Sequence, residues 1–202
     1  MEIITLGDDY VLTSNCYIIL SGEIFSVVDP SVSYEKAKSA IPYLDTYKPG
    51  YVLLTHGHAD HLWEIYSYVD VGCEVLATEH DASVAADSSL NCSALFDMDT
   101  TYNGKYRKIN EGEIISVGDT SFTVLETPGH TAGSVCYLTE GLAFTGDTLF
   151  ASGGYGRFDL PTGNLVQLRE SLRRLFTLDE NLKVYSGHGP VTTLGETKSF
   201  FG

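Results

Sequence analysis

The chain has 202 residues, 43% of them hydrophobic, with 12 basic and 27 acidic side chains and a formal net charge of −15. A chain of that size suits one domain, here 1–202, that buries about 70% of its unfolded surface, and its acidity disfavours nucleic acid and anionic membrane, which bind through cations on phosphate. No run approaches the ~18 uninterrupted apolar residues of a membrane span, and Met1-Glu2-Ile3-Ile4-Thr5 lacks the basic and apolar regions of a secretory signal, so a cytoplasmic location is expected.

Residues 2–29 read as consecutive strands, with 11–20 and 23–28 joined by a tight Ser21-Gly22 turn. Asp29-Pro30 stops the run, and Asp29 fits either a carboxylate under a metal site or a turn cap. Residues 34–44 place Ala37, Ala40, Ile41 and Leu44 at helical spacing, with Pro42 obscuring the end. Tyr51-Val52-Leu53-Leu54 is a short apolar strand that delivers Thr55-His56-Gly57-His58-Ala59-Asp60-His61. A helix over 62–69, a strand over 74–77 and a short helix near 81–86 follow, and His80 is expected as a solvated helix-end residue. Residues 88–108 form a polar stretch with Phe96, Met98, Tyr102 and Tyr106, long enough for a lid. Its Lys105, Arg107 and Lys108 are a basic cluster that either meets substrate or faces solvent. A β-rich half spans 113–144. The helix 165–176 shows Leu165, Leu168, Leu172, Leu175 and Phe176 on one face, and a last strand covers 183–185. Strands followed by helices, twice over, predict an α/β chain folded as a four-layer αββα sandwich. Cys16, Cys73, Cys92 and Cys136 are widely spaced without Cys-x-x-Cys, and three of them, Cys16, Cys73 and Cys136, read as reduced, small hydrophobes.

Five of the six histidines fall at strand ends: His56, His58 and His61, then His130 in Thr127-Pro128-Gly129-His130, and His188 in Ser186-Gly187-His188. Asp60 and Asp147 join them. A catalytic zinc takes about three protein ligands plus water, so seven imidazoles and carboxylates imply two metals. In extended chain His56 and His58 point the same way and can share one ion, whereas Asp60 and His61 project from the following turn toward a second. The glycines beside the ligands let the backbone bend and approach closely.

The His-x-His-x-Asp-His signature at 56–61, with His130, Asp147 and His188, resembles the metallo-β-lactamase superfamily across nearly the whole chain. The stretches 127–134, 144–150, 156–161 and 187–193 are most similar to its glyoxalase II-like, hydroxyacylglutathione hydrolase-like branch. The resemblance implies that His56, His58 and His130 hold one metal, that Asp60, His61 and His188 hold the other, and that Asp147 bridges them. It implies two divalent ions, zinc first with iron or manganese as alternatives, a metal-bridging hydroxide as nucleophile, and a small thioester as substrate. Asp60 would also orient the hydroxide, and Arg157 would meet the substrate's anionic tail. Two features depart from glyoxalase II: its helical C-terminal domain has no counterpart after His188, and Asp159 stands near where it carries a tyrosine. An Arg157–Asp159 ion pair is the alternative to a substrate contact.

The leading expectation is a dimetal thioesterase. The alternatives are a mononuclear iron persulfide dioxygenase of the same superfamily, a β-lactam or lactone hydrolase, and a non-catalytic metal-stabilised binding module.

Overall fold

The computed structural model describes residues 1–7 and 13–201. The first sheet begins with β1 (Glu2–Leu6), β2 (Cys16–Ser21) and β3 (Ile24–Val28) as an antiparallel meander, and continues in parallel through β4 (Lys48–Leu53), β5 (Glu74–Ala77) and β6 (Arg107–Lys108). Parallel neighbours require crossovers, and α1 (Tyr34–Ala40), α2 (Ile65–Val69) and α3 (Glu79–Ala85) lie within them. In the second sheet β7 (Ile114–Val117), β8 (Thr120–Glu126), β9 (Val135–Thr139) and β10 (Leu142–Gly146) are antiparallel in turn. After α4 (Leu165–Leu175), β11 (Lys183–Ser186) pairs parallel to β10, and β12 (Thr192–Thr193) closes the edge before α5 (Leu194–Lys198).

Strand β2 shows how the layers form, because it is buried on both faces. Tyr17 and Ile19 point into an inter-sheet core with Val28, Leu53, Phe122, Tyr137 and Phe144. Cys16, Ile18 and Leu20 alternate to the other side, under Tyr34, Ala37 and Tyr68 from the helices. On the far face of the second sheet, Cys136 and Val184 pack against Leu168, Leu172 and Leu175 of α4. Three apolar interlayers make four layers, as the order of strands and helices predicts.

Several element boundaries differ from expectation. Helix α1 stops at Ala40 rather than 44, because Ile41 precedes Pro42 and leaves the helical region (φ −125, ψ 80); Leu44 belongs to a separate 3₁₀ turn. The helix expected over 62–69 begins only at Ile65, since residues Ala59–His61 take a 3₁₀ turn that swings two site residues inward. Gly22, at φ +56, makes the β2–β3 turn. The expected strand start at 11 and 12 lies outside the described residues. The small elements β12 and α5 have too few residues to show a period. All four cysteines are buried and unpaired, and no helix among the described residues is long and apolar enough to cross a membrane.

Phe144 is fully buried between the sheets, with its ring 5.2 Å from that of Tyr17 and 5.4 Å from that of Tyr185. Phe144→Ala is expected to cost about 3–5 kcal/mol, measured as a lower urea midpoint. A loss below about 1 kcal/mol would mean that the sheets do not depend on this layer.

Candidate metal centre

The four ligand-bearing loops leave the ends of β4, β8, β10 and β11, which lie together at one edge of the paired sheets. The structure brings all seven expected side chains together there, as three groups of closely spaced ligand atoms: His56, His58 and His130; His56, His61 and Asp147; and Asp60, His61 and His188. His130 Nε2 lies 3.2 Å from His56 Nε2 and 2.9 Å from His58 Nδ1. On the other side, His188 Nε2 is 3.2 Å from Asp60 Oδ2, and His61 Nε2 is 3.6 Å from the same oxygen. Asp147 stands between the groups, with Oδ2 3.6 Å from His130 Nε2 and Oδ1 3.3 Å from His61 Nε2. Only glycine fits at 187, because a Cβ there would lie 2.2 Å from Asp147 Oδ1 and 2.6 Å from His61 Cε1.

Hydrogen bonds on the far side of the rings fix which nitrogens face inward. His130 Nδ1 is 2.6 Å from the Arg157 carbonyl, which can only accept, so Nδ1 carries the proton and Nε2 presents a lone pair. Thr55 Oγ1 donates to Asp29 Oδ2 at 2.7 Å and therefore accepts from His56 Nδ1 at 3.1 Å, which leaves His56 Nε2 as a second lone pair. These two lone pairs face each other across 3.2 Å, an arrangement that repels unless a cation sits between them. Two nitrogens bound tetrahedrally to one zinc would be about 3.3 Å apart. His61 Nε2 and Asp147 Oδ1 are buried without a hydrogen bond of their own. Orphaned inward atoms of this kind are what a metal satisfies, so the residues fit the group.

The two sides differ electrostatically. Burial, reinforced by the other imidazoles, pushes His56 well below its ordinary value. Burial with His130 takes His58 down to about 3, and burial also lowers His130 although Asp147 pulls the other way. Burial thus favours the neutral form of all three, in which an imidazole can offer a lone pair. Burial would lower His61 too, but Asp60, Asp29 and Asp147 together outweigh it and raise it well above its ordinary value. Partial burial opposes ionisation of Asp60 and Asp147, yet His61 and its neighbours hold both below the usual carboxylate range.

Several supporting residues carry no motif signal. Asp29 accepts from Thr55 N at 2.8 Å and binds His61 Nδ1 at 2.8 Å, so it lies under the site. Asn15 Nδ2 donates to the carbonyls of Ser186 and Gly189, and Tyr17 Oη to Ser186, tying the His188 loop to the first sheet. Tyr137 Oη donates to the Leu54 carbonyl at 2.7 Å from the opposite sheet. A cavity of about 320 Å³ opens over the cluster, walled by Trp63, Leu95, Phe96, Phe150 and Leu160, with Cys92 and Arg157 also lining it. The 88–108 stretch thus reaches the site through Leu95 and Phe96. Its basic cluster does not line the cavity: Arg107 pairs with Glu74 and Glu113, and Lys108 with Glu79. Arg157 forms two 2.9 Å hydrogen bonds with Asp159. His80 is exposed in the first turn of α3.

The sequence profile of the metallo-beta-lactamase superfamily matches residues 9–188. Hydroxyacylglutathione hydrolase GloC of Haemophilus influenzae is 31% identical over 192 residues, covering 91% of this chain and 89% of that protein. The BLEG-1 B3 metallo-beta-lactamase shares the fold with a TM-score of 0.84 and 29% identity, over 100% of this chain and 99% of its own. TTHA1623, solved in a di-iron-bound form, has a TM-score of 0.82 at 30% identity, over 98% and 97% respectively.

Asp81, in α3, backs this loop system. Its Oδ2 accepts from Thr131 Oγ1 at 2.8 Å, its Oδ1 has no partner, and its backbone carbonyl closes on Gly57, where a Cβ would lie 2.5 Å away. Burial raises its pKa to about 7, although the bonds from Thr131 and Gly57 oppose this. Because the folded-state value lies above the unfolded one, the carboxyl costs the wild type stability as pH rises from about 4 to about 7, with no further loss above that. In Asp81→Asn the penalty is absent. The melting temperature of the variant minus that of the wild type is therefore expected to grow across that window and then level off. A flat or shrinking difference by scanning calorimetry would refute a buried, proton-retaining Asp81.

Proposed function

The chain belongs to the metallo-beta-lactamase superfamily, and we propose that within it this protein is a dimetal hydrolase of small thioesters. One observation carries the reading: Asp147 turns one carboxylate oxygen to His130 and the other to His61 and His188, as a ligand shared by two ions must. His56, His58 and His130 would hold the first ion, Asp60, His61 and His188 the second. Zinc is the first choice, with iron and manganese compatible with the same nitrogen and oxygen donors. Because both sheets supply ligands, we treat residues 1–202 as one domain.

Held by these residues, divalent cations would supply Lewis acidity toward a carbonyl and lower the pKa of water to about 7 from 15.7. The remaining work falls to the chain. Asp60, partly exposed at the cavity floor and held ionised, accepts a proton-bearing contact from water and orients it toward the substrate. The apolar walls exclude bulk water from the reacting carbonyl. Coordination replaces a side-chain nucleophile, and the Cys92 thiol at the wall is pushed up by burial, away from thiolate. The 31% identity to a hydroxyacylglutathione hydrolase supports thioester chemistry. The fold shared with a B3 metallo-beta-lactamase favours β-lactams as the second substrate class to assay.

The test is a kinetic screen of acyl-thioesters, lactones and β-lactams, with elemental analysis of the same sample. Thioester turnover with two metals per chain is expected. Asp147→Asn should bring the metal count toward one and lower kcat on the order of a hundredfold. An unchanged metal count in that variant removes the bridge. Turnover of β-lactams alone, or oxygen consumption on a persulfide with a single iron, removes the thioesterase.

A further inference from the structure

A second cavity, of about 560 Å³, lies between α4 and the C-terminal segment and shares the Tyr155 side chain with the catalytic one. Leu172, Phe176 and Phe201 form its apolar floor, and Arg169, Arg173 and Lys198 its rim. The chain has 12 basic residues in all, yet three meet here, and no acidic side chain lines the groove. Arg173 is 2.7 Å from Glu170 and Lys198 2.8 Å from Glu180. Both pairs are largely solvent-exposed, so each is weak and yields readily to an arriving anion. The Arg169 side chain is exposed and makes no ion pair or hydrogen bond with any described residue.

Among the described residues that line the first cavity, the one arginine or lysine, Arg157, is already satisfied by Asp159 through two hydrogen bonds. The loop that carries Tyr155 is packed down on the groove. Gly153, at φ +73, leaves room for Phe200, whose Cβ would lie 2.5 Å from a Cβ at position 153, and the Tyr155 and Phe201 rings are 6.2 Å apart.

We propose that this groove binds the thiol-side tail of an extended thioester, and that the tail bears phosphate groups on a partly apolar stem. The inference rests on the thioesterase reading above. Phosphate is favoured because guanidinium groups bind it through paired hydrogen bonds, and because several phosphate charges engage three cations more strongly than the single net negative charge of a glutathione tail, whose α-ammonium group the rim repels. The substrate then runs from the metal cluster past Tyr155 onto α4.

Calorimetric titration with desulfo-coenzyme A, which has no thiol to bind a metal, tests the groove without turnover, and glutathione serves as the contrasting probe. Binding of desulfo-coenzyme A, weakened at least about tenfold by Arg169→Glu, is expected, with no groove binding of glutathione. The KM for an acyl-coenzyme A should rise at least about tenfold relative to that for the corresponding neutral N-acetylcysteamine thioester, with kcat little changed. Equal affinity for desulfo-coenzyme A in wild type and Arg169→Glu overturns the proposal, as does glutathione binding that depends on Arg169. Arg169-dependent binding without hydrolysis of any thioester supports the groove and overturns the thioesterase instead.

Discussion

Asp29 stands at the end of β3 with its backbone in the left-handed region (φ 52) and its side chain almost wholly buried, and three donors converge on it: the Thr55 amide, the Thr55 hydroxyl and His61 Nδ1. A buried carboxylate left alone would cost several kcal/mol. Here it is held by the segment that carries the first ligands, so the strained backbone at 29 and the turn after β4 form one unit. Through Thr55 it also sets the proton on His56, and directly the one on His61. One acidic side chain thereby aims an imidazole at each side of the cluster.

The two sides are unequal in a way that follows from what surrounds them. His56, His58 and His130 are desolvated among themselves and hold no proton that a cation must displace. His61 lies among three carboxylates that raise its pKa, so a cation on that side competes with a proton more than one on the first side does. The fold keeps both sides in register by pinning across the sheets: Tyr137 reaches from β9 to the Leu54 carbonyl, Tyr17 from β2 to Ser186, and the Val135 amide bonds to the Thr55 carbonyl at 2.8 Å. These bolts lie directly behind the ligand loops, where a polar group has no water to turn to.

The ligand constellation was legible because coordination demands particular side chains at the ends of strands, and those positions carry glycine or proline that marks them in one dimension. The layer order was legible for a similar reason, since alternation in β2 and the apolar face of α4 are local patterns. Helix ends were less so: Pro42 signals a break without locating Leu44, and the delayed start of α2 is dictated by where Asp60 and His61 must point, which no local pattern encodes. Asn15, Tyr17, Tyr137 and Asp81 stayed hidden because each acts through a partner far away in sequence, 169 residues in the case of Tyr17 and Ser186. Asp29 read equally as cap or support, and only its three donors separate the two.

The cavity's chemistry also bears on the leaving group that the proposed reaction needs. Expelling an amine or an alkoxide requires a proton, and several groups lining this pocket are poor sources. Asp60 and Asp147 are held ionised, and a nearby cation would hold them so more firmly. His58 and His130 are neutral, and a neutral imidazole N–H is not an acid at physiological pH. Arg157 keeps its protons on Asp159, and burial raises the Cys92 thiol still further from release. Phenols and thiols as classes are weak acids near neutrality. A thiolate departs without such help, so carboxylates held ionised at the cavity floor accord with the thioester chemistry proposed above.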